Sequence, residues 1–359
     1  MTGSDQHTAA QSDGPPAMLA AVEASLARRA ERGEFSGAVL VARGGSPLIC
    51  RGYGLGNIEQ STPNTPQTKF PIASITKPFT ALAILIVQEQ GRLQVHAALN
   101  SLVPTGIPAW QDVTIHQLLT HTSGIPDLPF WPHCIDPAQP GPITPAALQQ
   151  LFGARPLAAT PGTTFVYSNW GYMLLGYVIE QVSGLPYAVF VQRHVLTPAG
   201  MTSSGYVDRK AVLPLRAASY AIEHGTLVNA SFLDLEDPYA AGGLYSTVED
   251  LLRWDRVLVT QPSLAAMFTP HVPVGDGSSY GYGWQIGVRF GRRVVYHGGR
   301  IDGFRVLLAR YPDAQVCIAV LCNLQTCDPD SVADALAAAM FGAEAGPGGA
   351  DTGGQAPEP

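Results

Sequence analysis

Residues 292–323 read RRVVYHGGRIDGFRVLLARYPDAQVCIAVLCN. Three strand-like runs stand in this stretch: RRVVYHGG (292–299), FRVLLARYPD (304–313) and QVCIAVLCN (315–323). They are rich in Val, Leu, Ile and Tyr and are separated by tight turns such as Tyr311-Pro312-Asp313. Connections so short favour antiparallel pairing. A fourth run of the same character, YGYGWQIGVRF (280–290), precedes them, and VADALAAAMFG (332–342) follows with helical spacing.

Working outward, MLAAVEASLARRAER (Met18–Arg32) has helical spacing and ends near Gly33. Two further strand-like runs follow, GAVLVARGG and PLICRGYGLG, joined by a Gly-Gly-Ser turn. Helical patterns fill the middle: Ser74–Gln90, VTIHQLLTH (113–121), GYMLLGYVIEQVSG (171–184) and VEDLLRWDRVL (248–258). Pro-rich loops separate them, notably Gly124–Pro145, which is expected to line a pocket. The economical fold is α+β. One antiparallel sheet is built from both ends of the chain and flanked by helices, with an inserted all-α lobe. The expected organisation is a sheet lobe of 16–70 and 270–342, a mostly helical lobe of 71–269, and disordered ends at 1–15 and 343–359. A site is expected in the cleft between the lobes.

Composition narrows the function. The 359 residues are 46% apolar, ample for a large core, and the net charge of −7 comes without a basic run, which excludes a nucleic-acid partner. The longest apolar run, FTALAILIV (79–87), is too short to span a membrane. MTGSDQHTAAQSDGPP lacks the basic and apolar regions of a secretory signal, so a cytoplasmic location is expected. The five cysteines are scattered with no CxxC pair, and Cys317 and Cys322 read as small core residues. Neither a metal nor another cofactor is called for. His116 and His121 in HQLLTH lack the HExxH pattern and its Glu.

Only Lys69, Lys77 and Lys210 are lysines, so a lysine opening an apolar helix needs a reason. Ser74-Ile75-Thr76-Lys77 places Ser and Lys three apart on one helical face, at a helix start with free N–H groups. Positive potential and apolar surroundings disfavour an ammonium, so Lys77 is expected to lose its proton near neutral pH and act as a base. A Ser cap followed by a solvent-facing Lys would read the same. Tyr167-Ser168-Asn169 stands just before a helix. Tyr167 beside such a lysine is expected to have a lowered pKa, and Asn169 to reach a substrate amide. A core Tyr and a capping Asn are the plain alternative. In Tyr296-His297-Gly298-Gly299-Arg300 the paired glycines let a strand edge approach a ligand. A backbone N–H there would complete an oxyanion hole with that of Ser74. A strand-end turn with a satisfied His is the alternative.

In this order the three motifs resemble the serine β-lactamase and penicillin-binding-protein superfamily, the class C β-lactamase-like branch most of all. Its Ser-x-x-Lys, Tyr-x-Asn and Lys/His-x-Gly patterns read here Ser74/Lys77, Tyr167/Asn169 and His297/Gly299. VTIHQLLTHTSGIPDL, PYAAGGLYSTVEDLLRW and YGYGW match as well, and the resemblance runs from about Met18 to Gly342. It implies a β-lactamase/transpeptidase-like fold in which Ser74 is acylated and Lys77 and Tyr167 form the base system. The N–H groups of Ser74 and Arg300 would bind the oxyanion, Asn169 would orient the acyl-side amide, and His297, with Gly298 and Gly299, would face the substrate. Typical class C β-lactamases carry Lys where His297 stands, and a neutral imidazole attracts a carboxylate less. The expectation is therefore a serine hydrolase of small-molecule or peptide esters or amides, more esterase- or peptidase-like than a β-lactamase. A transacylase and a non-turnover acyl-binding receptor are the rivals. Gly277-Ser278-Ser279-Tyr280-Gly281 matches G-x-S-x-G but lacks the following helix and a downstream acid–His pair, and is set aside.

Overall fold

The computed structural model describes residues 15–128, 144–208, 210–231, 238–260 and 262–342. The expected disordered ends, save Pro15, and most of the Gly124–Pro145 loop lie outside the described residues.

The chain opens with helix α1 (Pro15–Glu31) and the hairpin β1 (Gly37–Arg43) and β2 (Ser46–Tyr53). The middle carries α2 (Thr76–Glu89), α3 (Ile115–Leu119), α4 (Pro145–Phe152), α5 (Asn169–Ser183) and α6 (Val248–Thr260). Then come β3 (Val272–Pro273), β4 (Ser279–Tyr280), β5 (Gln285–Arg289), β6 (Arg292–Ile301), β7 (Phe304–Tyr311) and β8 (Val316–Cys322), closed by α7 (Pro329–Phe341). The eight strands form one sheet in the order β3-β4-β5-β6-β7-β8-β1-β2, and every pairing is antiparallel. Both ends of the chain therefore build the same sheet, with β1 seated between β8 and β2.

Side-chain alternation explains the layers. Val39 and Val41 of β1 and Ile318 and Val320 of β8 turn to one face, where Leu26 of α1 and Val332 and Leu336 of α7 cover them. Ala38, Leu40, Ala319 and Leu321 turn to the other face, toward the cluster that holds Phe79 of α2 and Trp254 of α6. Helix α6 packs on β1 and β8, so one helix of the 71–269 segment belongs to the sheet's own cover. That segment also carries a small sheet, Phe70–Pro71 with Leu244–Ser246 and Gly205–Tyr206, and the hairpin Tyr220–Glu223 with Thr226–Asn229. Stacked rings of Phe79, Trp254 and Trp284 pin α2 to α6 and to the YGYGW segment, at 3.8 Å and 5.6 Å between centroids. Cys317 and Cys322 are buried core residues. Among the described residues no single helix is long and apolar enough to cross a membrane.

Candidate active site

Ser74 sits in a short 3-10 turn, Ala73–Ile75, that leads straight into α2. Ala73, just before it, has φ +45°, a conformation that costs a non-glycine residue energy and is held by its surroundings. Those surroundings are the strand Leu244–Ser246. Its Leu244 carbonyl accepts from the Ile72 N–H at 2.9 Å, and its Leu244 N–H donates to Thr76 Oγ1 at 3.1 Å. On the other side Gly283 lies against α2. A Cβ there would stand 2.8 Å from Pro78 Cα, and φ is +77°, so the YGYGW glycine is required twice over.

Lys77 is fully buried, with Nζ 2.9 Å from Ser74 Oγ, 2.7 Å from Asn169 Oδ1 and 3.0 Å from the Ala241 carbonyl oxygen. Burial drives its pKa down to about 7, against a smaller upward pull from the Asp127 charge. Neutral lysine has two N–H donors and one lone pair. Asn169 Oδ1 and the Ala241 carbonyl can only accept, so they take both donors, and the lone pair is left facing the Ser74 hydroxyl. The Tyr167 hydroxyl donates to Ser74 Oγ from the other side at 3.1 Å. Its pKa is not lowered as the sequence reading expected. Burial raises it, the Asp127 charge adds to the rise, and the bond with Ser74 only partly offsets them. The imidazole of His121 stacks on the Tyr167 ring at 4.3 Å and fixes its plane.

Asn169 opens α5, where Ser168 is the cap and accepts from the Gly171 N–H. The Asn169 Nδ2 donates to Asp127 Oδ2 at 2.9 Å, while Asp127 Oδ1 accepts from the backbone N–H of Asn169 at 2.8 Å and of Trp170 at 3.3 Å.

Strand β6 supplies the opposite wall. Its pairing with β5 stops at Gln285↔Tyr296, so residues 297–301 have a sheet neighbour only in β7. The two-residue turn Asp302-Gly303 makes Ile301↔Phe304 the closing hydrogen-bonded pair. By alternation Arg300 and Gly298 then point their N–H and C=O groups to the open edge. The face of this last stretch of β6 lies against the Ser74 turn: a Cβ on Gly299 would stand 2.6 Å from the Ile72 carbonyl oxygen and 3.1 Å from Ala73 Cβ. The two oxyanion donors named from sequence, the N–H groups of Ser74 and Arg300, are thus carried on abutting segments.

A family model described as Beta-lactamase matches residues 20–342. The chain belongs to the beta-lactamase family. Among curated relatives, a putative penicillin-binding protein PbpX of Bacillus subtilis is 30% identical over 296 residues, covering 81% of this chain and 71% of that protein. Penicillin-binding protein 4* of the same organism is 30% identical over 315 residues, covering 82% and 69%. Among solved structures, the octameric penicillin-binding protein homologue from Pyrococcus abyssi superposes with a TM-score of 0.77 at 29% identity, covering 90% of this chain and 77% of that one. EstCE1, a hydrolase with promiscuous acyltransferase activity, shares the fold at a TM-score of 0.75 and 21% identity, covering 91% and 99%.

Within this beta-lactamase-family site His297 has an inward setting. It is 5% exposed, and both ring nitrogens are engaged. The Ser168 N–H donates to His121 Nδ1 at 3.1 Å, so the His121 proton sits on Nε2, 3.2 Å from the Tyr280 oxygen. The Tyr280 hydroxyl then donates to His297 Nε2 at 3.0 Å, and His297 Nδ1 donates to the Gly298 carbonyl at 2.6 Å. Burial pushes the His297 pKa down to about 3, the Lys77 charge acts in the same direction, and the Gly298 carbonyl opposes both. Sequence reading missed Asp127, Ala241, His121 and Tyr280. The signal lay in segments already singled out, HTSGIPDL, PYAAGG, HQLLTH and the set-aside Gly277–Gly281 run.

Proposed function

We propose that this chain is a serine hydrolase that cleaves an ester or amide of a small molecule or peptide through an acyl-enzyme on Ser74, and that it is not chiefly a β-lactamase. The observation that carries the reading is buried Lys77 Nζ 2.9 Å from Ser74 Oγ, with Asn169 Oδ1 and the Ala241 carbonyl placed to take both donors of the neutral amine, whose lone pair then faces the Ser74 hydroxyl. Lys77 takes the Ser74 proton as Oγ bonds to the substrate carbonyl carbon. The oxyanion that forms lies between the N–H groups of Ser74 and Arg300. Tyr167 keeps its proton at neutral pH and gives it to the departing oxygen or nitrogen as that bond breaks. The new ammonium of Lys77, with Nζ 4.8 Å from the Tyr167 ring centroid, balances the phenolate and then returns its proton to it. Water repeats the sequence on the acyl-enzyme and frees Ser74.

The neutral, inward-held His297 supports donors without a carboxylate beside the scissile bond, because no permanent cation stands at that position. Intact-mass spectrometry after exposure to a fluorophosphonate, a p-nitrophenyl ester series and a penicillin tests this. The expected outcome is a single adduct mapped to Ser74, faster turnover of esters than of nitrocefin, and no adduct in Ser74→Ala. Labelling at another serine would sink the assignment, and nitrocefin turnover near the diffusion ceiling of about 10⁸ M⁻¹s⁻¹ would restore β-lactam hydrolysis.

A further inference from the structure

An amide side chain has an acceptor at one end and two donors at the other, and the two ends have nearly the same shape. Which end of Asn169 faces Lys77 therefore needs a device to set it. Asp127 is placed to be that device. It lies exposed at the rim of the site, 42 residues before Asn169 in the chain. A carboxylate can only accept, and its Oδ2 takes Asn169 Nδ2 at 2.9 Å, which leaves Asn169 Oδ1 to meet Lys77 Nζ at 2.7 Å. Its Oδ1 also accepts the first backbone N–H groups of α5, those of Asn169 and Trp170. Burial raises the Asp127 pKa, and the bonds from the Asn169 amide and these N–H groups, with the Lys77 charge, offset part of that rise. The carboxylate thus grips both the backbone and the side chain of one residue.

We infer that Asp127 is a positioning residue of the active site, which holds the Asn169 amide with its oxygen toward Lys77 and so keeps the Lys77 lone pair free for Ser74. This rests on the reading of Lys77 as the base. With the amide reversed, Asn169 would donate into that lone pair and occupy the base. The groups that face Lys77 are Ser74 before α2, Asn169 and the Tyr172 ring from α5, and the Tyr167 ring from the loop before it. The Ala241 carbonyl completes the contacts. The Lys77 charge acts on His121 and His297, and burial, the larger cause, keeps both imidazoles uncharged at neutral pH. Asp127 is the anion that acts on Lys77 and holds its pKa up. Loss of the carboxylate has two effects in one direction: it removes a favourable charge for the ammonium and it turns the Asn169 oxygen away.

The test is kcat and kcat/KM for p-nitrophenyl butyrate from about pH 5 to about pH 9 in wild type, Asp127→Asn, Asp127→Ser and Asp127→Glu, with melting curves of each. Ser removes the charge with a smaller side chain and serves if the Asn variant does not fold. The expected result for the uncharged variants is a plateau at least about tenfold lower and an acid limb displaced by about half a pH unit or more toward lower pH. The Glu variant keeps the limb in place and recovers part of the rate. A lower melting temperature with the wild-type profile would make Asp127 a structural cap only, and an equal limb shift in the Glu variant would equally overturn the inference. A wild-type profile with no acid limb near pH 7 fails the Lys77 reading itself. A wild-type limb that Asp127→Asn and Asp127→Ser leave unmoved fails this inference alone.

Discussion

Gly299→Ala puts the oxyanion wall to a direct test. The added methyl would lie 2.6 Å from the Ile72 carbonyl oxygen, 2.6 Å from Val306 Cγ2 and 3.1 Å from Ala73 Cβ. A carbon and a carbonyl oxygen rest at about 3.3 Å, so the backbone of β6 and the Ser74 turn must part by about 0.7 Å. Val306 can turn a side chain aside, but the Ile72 carbonyl belongs to the turn that carries Ser74 and cannot. The Arg300 N–H, one residue on, moves with the strand, whereas the Ser74 N–H stays with its helix. A misplacement near 1 Å at reacting groups costs up to about a hundredfold in rate, so kcat/KM for a neutral p-nitrophenyl ester should fall about 30- to 100-fold, or about 2–2.7 kcal/mol of barrier. Fluorophosphonate labelling of Ser74 should slow with it, while far-UV circular dichroism stays unchanged. Wild-type kcat/KM within about twofold, in a folded Gly299→Ala protein, would refute the placement of β6 as an oxyanion wall.

Three further outcomes follow from the same geometry. Wild-type kcat/KM should rise with pH through a midpoint near 7 as Lys77 becomes neutral, and Tyr167→Phe should lower the plateau about a hundredfold while leaving that midpoint in place. Disappearance of the limb in Tyr167→Phe would make Tyr167 the titrating group. Lys77→Met should lower kcat at least about a hundredfold. Because the folded pKa of Lys77 lies below its unfolded value, the unfolded chain binds the extra proton, and the stability of wild type relative to Lys77→Met should grow as pH rises from about 7 toward the ordinary lysine value of 10.5. Paired chemical-denaturation curves at several pH values check the sign, and a flat difference would show an unshifted lysine. Tyr280→Phe strands the His121 Nε2–H and should cost about 1–3 kcal/mol, read as a drop in denaturation midpoint. An unchanged midpoint would mean that the His121–Tyr280–His297 chain is not formed.

The sequence made legible whatever depends on neighbours along the chain. The strand runs of 292–323 and 37–56 and the opening of α2 and α5 follow from spacing and turn chemistry, and the Ser74–Lys77 contact follows from one helical turn. What it hid depends on groups far apart in the chain. Asp127 acts on Asn169 across 42 residues, and Ala241 on Lys77 across 164. The strands Phe70–Pro71, Leu244–Ser246 and Gly205–Tyr206 are too short to leave a period. Tyr167 was misread for a physical reason: proximity to an amine suggests a lowered pKa, but burial acts on the phenolate more strongly than a lysine that is itself half-neutral. The set-aside runs around His116–His121 and Ser279–Tyr280 held no zinc motif and no nucleophile elbow, yet His121 and Tyr280 orient Tyr167 and His297.

The seating of β1 between β8 and β2 has a consequence for how the molecule is made. Gly37 pairs with Cys322, which the ribosome adds 322 − 37 = 285 residues later. At about 5–20 residues per second, the β1–β2 hairpin waits roughly 14–57 s with one edge bare, an interval in which it is open to pairing with another chain. Ser74, Lys77, Tyr167 and Asn169 have all been synthesised within its first part, yet the sheet face that α2 packs on and the β6 edge opposite Ser74 arrive only near its end. A nascent chain halted before β8 therefore carries the whole Ser–Lys–Tyr–Asn set without a working site, and catalytic competence should appear late and in one step as translation passes Cys322.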